Sequence, residues 1–118
     1  MDRSKLLSMN SIWVELKFVS GGFQRERTRY KVVLEIKDVY TRSAFDFQSD
    51  LEDLITENSS KFGTQGPAEL SVTGMCEFIA SKFFANDIHV LHVSIRDTLR
   101  KVGASVYFLE DKKVGEAT

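Results

Sequence analysis

The chain has 118 residues, 28% of them charged and 42% hydrophobic, with a formal net charge of -1. That length supports one domain with a modest core, and the even charge balance gives no global excess for binding nucleic acid. A single cysteine, Cys76, excludes an internal disulfide, and no stretch approaches a membrane span.

Residues 1–10 (MDRSKLLSMN) are too short and polar for a signal peptide and read as a flexible terminus of a cytoplasmic protein. Ile12 to Val19 then alternates, with Ile12, Val14, Leu16 and Phe18 on one side and Trp13, Glu15, Lys17 and Val19 on the other. A period of two marks a strand with one buried face. Ser20-Gly21-Gly22 opens a hairpin connection to about Thr28. Arg29 to Tyr40 repeats the alternation, with Tyr30, Val32, Leu34 and Ile36 set against Lys31, Val33, Glu35 and Lys37. The cluster Arg25, Arg27, Arg29, Lys31 reads first as a solvated hairpin edge and second as an anion or phosphate contact.

Ser49 to Glu52 has the spacing of a capping box and predicts the start of a first helix, with Leu51, Leu54 and Ile55 on its apolar face. That helix should fade near Asn58, Ser59 and Ser60. Lys61 to Ala68 holds the only proline, Pro67, and reads as a loop. A second helix follows, because Val72, Met75, Cys76, Ile79, Ala80 and Phe83 recur at three- and four-residue steps. Gly74 costs this helix roughly 1 kcal/mol relative to alanine unless the helix starts near it. Two more alternating stretches close the chain, His89, Leu91, Val93, Ile95 and then Val102, Ala104, Val106, Phe108. Residues 111–118 are polar and read as a loose tail, which leaves 11–110 as the single domain.

This order predicts an α+β fold, an antiparallel four-stranded sheet with two helices on one face. Val19, Val33, Val39, Val90 and Tyr107 fall on the other face, which points to closure into a barrel or to packing between copies. Only two histidines exist, His89 and His92, and three residues apart in one strand they face opposite ways, so no zinc site is expected. No serine elbow or phosphate-cradling glycine loop is present. Cys76, inside an apolar stripe, reads as a core residue rather than a reactive thiol. Glu77 stands out as a charge among Cys76, Phe78, Ile79 and Ala80, and a buried carboxylate requires a partner.

From about Ile12 to Leu109 the ββααββ order resembles the tunnelling fold of pterin enzymes, which includes dihydroneopterin aldolases and epimerases and the pyruvoyl- and carboxy-tetrahydropterin synthases. Gly21-Gly22-Phe23-Gln24-Arg25-Glu26-Arg27-Thr28 is similar to the aldolase segment joining the first two strands. Arg29 to Ile36 looks like the second strand of either branch. Phe45-Asp46-Phe47 with Asp50-Leu51 is similar to the synthase pattern DFxDL with one residue inserted. Met75-Cys76-Glu77-Phe78-Ile79-Ala80 resembles the aldolase helix pattern LLExLA, whose glutamate anchors the pterin.

The resemblance implies an oligomeric barrel, a tetramer or octamer, with pterin sites between subunits and a lyase of folate biosynthesis that needs no metal or cofactor. Glu77 is then the substrate anchor, accepting the ring's paired donors in a fork; an alternative alignment puts Thr73 there. Asp97 and Thr98 stand where the synthases carry a glutamate-threonine pair, and bind substrate. Lys101 takes the place of the aldolase lysine as base, and Glu26, the second catalytic residue, holds the opposite side or closes the pocket. In the retro-aldol step the base removes the proton of the side-chain hydroxyl beside the ring, the carbon–carbon bond breaks, and its electrons enter the ring imine. Two departures matter. Phe47 replaces the aldolase tyrosine, which favours a non-catalytic binding or scaffold protein as one alternative. Glu26 and Thr28 occupy the segment of the synthases' zinc histidines, which disfavours the other alternative, a divergent synthase.

Overall fold

The computed structural model of the chain describes residues 11–19, 28–37, 44–64 and 66–117. Its elements are β1 (Ser11–Val19), β2 (Thr28–Lys37), α1 (Ala44–Glu57), α2 (Ser59–Phe62), α3 (Val72–Phe84), β3 (His89–Asp97), β4 (Val102–Leu109) and β5 (Lys112–Ala117). All strands join one antiparallel sheet in the order β1-β2-β3-β4-β5. The α+β class is as expected, with each strand beside its neighbour in sequence.

The core follows the predicted alternation. Tyr30, Val32, Leu34 and Ile36 are buried on one face of β2, and α3 buries Val72, Met75, Cys76, Ile79, Ala80 and Phe83, the stripe its periodicity marks. Leu51 and Ile55 of α1 join the same cluster, so both long helices and one sheet face share a single core. The α3 helix begins where its chemistry allows. Ser71 is the N-cap, its Oγ accepting the Gly74 N–H at 3.0 Å, so Gly74 lies in the first turn, where its entropic cost is small. The Cys76 thiol is buried, and burial pushes it up to about 12, in keeping with a packing role.

Four expectations are corrected. The first helix starts at Ala44, so Ser49 is inside it rather than at its cap; the apolar contacts of the preceding turn, with Phe47 in the core, outweigh the capping-box signal. The register of β2 against β3 shifts between Glu35 and Ile36, so Glu35 faces His92 while Ile36 faces Val90. That extra residue, Leu91, switches the phase of the strand. Val90 therefore turns into the core rather than away from it. The same shift places His89, opposite Lys37, and His92, opposite Glu35, on one side of the sheet. Finally, the segment read as a loose tail is the edge strand β5.

That edge strand depends on a two-residue turn. Glu110 (φ 50°) and Asp111 (φ 63°) are both left-handed, between Leu109 and its register partner Lys112. This matches the primed turns whose twist suits a hairpin, normally built from Asn-Gly. Replacing Glu110-Asp111 by Asn-Gly should therefore stabilise the protein by about 1 kcal/mol, measured by urea unfolding; a loss of stability would refute the turn assignment.

Candidate functional site

The residues singled out in the sequence fall into two separate clusters. The first surrounds the β3–β4 turn. Asp97 ends β3 on the core side and is fully buried. Its Oδ1 accepts the backbone N–H groups of Leu99 (3.0 Å) and Arg100 (3.2 Å), which shapes the turn. Arg29 reaches it from β2, Nε to Oδ1 at 3.3 Å and Nη2 to Oδ2 at 3.4 Å, and Arg100 Nε donates to Oδ2 at 2.7 Å. Burial alone would raise the Asp97 carboxyl, but the hydrogen bonds from Arg100 and Arg29 outweigh it and hold it below the usual carboxylate range.

Arg29 is itself buried and does more than pair with Asp97. Its Nη1 donates to the carbonyls of Gly63 and of Gly66, the latter at 2.9 Å. One guanidinium thus ties β2 to the loop after α2 and to the β3–β4 turn. Tyr30 beside it donates its hydroxyl to the Phe62 carbonyl, and burial raises its phenol. Thr98 closes the arrangement, donating its N–H (2.8 Å) and its Oγ1 hydroxyl (3.0 Å) to the Arg29 carbonyl. Asp97 and Thr98 are therefore engaged in joining elements of the fold. Lys101 lies on the same turn, exposed, in a left-handed conformation (φ 58°).

The second cluster surrounds Glu77. It lies on α3 away from the core stripe and is about half exposed, rather than enclosed by its apolar sequence neighbours. Its Oε1 is 3.8 Å from Lys113 Nζ of β5. Both line a cleft of about 500 Å³ between α3 and the β4–β5 hairpin, with Leu70, Gly74, Phe78, Ser81, Phe84, Phe108 and Asp111. Phe84 and Phe108 meet edge-to-face at 5.7 Å, which gives the cleft a rigid aromatic wall. Thr73, the alternative anchor, is half-buried in the first turn of the helix and does not line this cleft. Lys101, Asp97 and Thr98 do not line it either.

Glu26 lies outside the described residues, as do Arg25, Arg27, Val39, residues 1–10 and the connection 20–27. Phe47 points into the core, 3% exposed, where a phenyl ring is at home and a tyrosine hydroxyl would need a partner.

A third group went unmarked in the sequence. On the side of the sheet opposite the core formed with α1 and α3, Glu35, His92 and Tyr107 form one cross-strand row. Glu35 Oε1 is 3.1 Å from His92 Nδ1, both are buried, and the imidazole stacks on Tyr107 at 4.4 Å. The only available signal was a glutamate in an otherwise regular strand, and the shifted register that brings His92 opposite it leaves no mark in the sequence. Among the described residues no group of three or more His, Cys, Asp or Glu is arranged to hold a metal ion, and no helix is long and apolar enough to cross a membrane. Comparison with family models, curated proteins and solved structures finds no match to the chain.

Proposed function

We propose that the chain is a tunnelling-fold subunit that binds a dihydropterin and cleaves it in the manner of a dihydroneopterin aldolase or epimerase. The observation that carries this reading is the Glu77 cleft. A planar, aminated heterocycle needs flat apolar walls and a carboxylate at its donor edge, and Phe78, Phe84, Phe108 and Glu77 supply that combination. The sequential antiparallel sheet with its helices sharing one core agrees with the same fold. Lys101 is apart from the cleft, so in this reading the base comes from a second copy, and the active form is a homo-oligomer, a tetramer or octamer closed into a barrel.

The test is release of glycolaldehyde from 7,8-dihydroneopterin by the purified protein with chelator present. Turnover supports the reading, and its absence removes the lyase. A pterin-binding titration then separates the anchor residues. Glu77→Gln should weaken binding by about tenfold or more, since it removes a charge-assisted fork, while Thr73→Val leaves it unchanged. The reverse pattern would overturn Glu77 as the anchor.

A second reading, a non-catalytic binding protein of the same fold, is favoured by a specific observation. Phe47 is packed in the core in place of the tyrosine, and Asp97 is held by two arginines. Pterin binding without glycolaldehyde release would select it.

A further inference from the structure

The basic run noted in the sequence divides in the structure. Arg29 turns inward to Asp97, whereas Lys31 is exposed on the side of the sheet opposite the core. Directly opposite Lys31 on β3 is Arg96, also exposed, and opposite it on β1 is Lys17. Three basic residues thus occupy one cross-strand row of a chain whose net charge is -1. Like charges directly opposite in an antiparallel pair are destabilising, because their Cβ atoms are only about 4.5–5.5 Å apart. Among the described residues neither Lys31 nor Arg96 has a hydrogen bond or ion pair to offset this.

Two neighbouring features complete the chemistry. In the adjacent row Ser105 donates to Ser94 Oγ at 3.1 Å, which leaves the Ser94 hydroxyl hydrogen available to a further acceptor. Across from Arg96 on β4 is Gly103, where an added Cβ would come within 3.4 Å of Arg96 Cδ, so the glycine gives the arginine room to lie across the sheet. A guanidinium, an ammonium and a hydroxyl thus stand on adjoining rows of one sheet face, donor types that suit a compact anion with several acceptor oxygens.

We propose that Lys31, Arg96 and Ser94 form an anion site on the sheet face opposite the core that takes a phosphate group, free or as a small phosphomonoester. It stands independently of the pterin reading, because none of these residues lines the Glu77 cleft. Binding of inorganic phosphate, followed by 31P NMR titration on the full chain, tests it, with glycerol phosphate as a parallel probe to distinguish an ester from the free ion. Wild-type protein should bind phosphate with an affinity that falls as salt rises. The double variant Lys31→Gln/Arg96→Gln should lose about tenfold or more. Both side chains are exposed, so folding is retained, and Glu77→Gln should leave phosphate binding unchanged. Equal binding by the wild type and the double variant overturns the site. So does affinity for a single-stranded oligonucleotide with none for phosphate.

Discussion

Replacing Asp97 with alanine should destabilise the protein by about 3–5 kcal/mol, the cost of leaving a buried partner charge without its counterion. The reason is the position of Arg29, which is buried and donates to Asp97 as well as to the Gly63 and Gly66 carbonyls. Removing the carboxylate strands that guanidinium and also takes the acceptor from two turn N–H groups. Arg100→Gln, at the more exposed side of the cluster, should cost no more than about 1 kcal/mol. Urea unfolding measures both, and an Asp97→Ala loss below that of Arg100→Gln would sink the assignment. The pH dependence has a definite sign. The folded carboxyl titrates below its unfolded value, so its contribution is present above about pH 3.9 and is lost as pH falls through the lower folded value. Wild-type stability should fall across that acid window, and Asp97→Asn should lose that part of the slope.

Gly63→Ala should cost about 2–5 kcal/mol, combining the left-handed backbone penalty with overpacking. Gly63 caps α2 at φ 65°, and a Cβ there would lie 2.5 Å from the Ala68 nitrogen and 2.6 Å from the Gly66 oxygen. Those are backbone atoms, and they belong to the loop whose carbonyls receive Arg29, so the loop cannot give way without loosening the guanidinium. Gly66→Ala meets open space and should change stability by no more than about 0.5 kcal/mol. Thermal unfolding of the two variants side by side decides the matter; equal midpoints would contradict the close approach. Because Gly63 and Asp97 share Arg29, the double variant should lose less than the sum of the two single losses.

What the sequence could announce and what it could not follow from how local each signal is. The α3 stripe and the β2 face were legible because burial there repeats at the period of the element itself. The start of α1 was misplaced because a serine and a glutamate at capping distance occur inside helices too, and nothing nearby in the sequence distinguishes the two. The extra residue at Leu91 is a property of pairing, so the burial of Val90 and the meeting of His92 with Glu35 were hidden. β5 was hidden because its lysines and glycine have the composition of a tail, and its turn lacks the usual Asn-Gly. The site was less legible still. Asp97 was marked only through the resemblance, as a substrate-binding residue, whereas its use in the fold depends on Arg29, 68 residues away. Glu77 was marked as a charge in apolar company, and its actual neighbour Lys113 lay in the segment read as unstructured.

The edge strand has a consequence for assembly. Lys113 faces Glu77 and also bonds Glu116 three residues along the same strand, while β5 as a whole occupies the outer rim of β4. A second copy that added its own strand at that rim would have to peel β5 away, and with it the cation beside Glu77. Strand exchange and occupancy of the cleft would then be two sides of one equilibrium. Whatever holds β5 in place keeps a lysine at the carboxylate, and whatever takes its place frees the carboxylate for another donor.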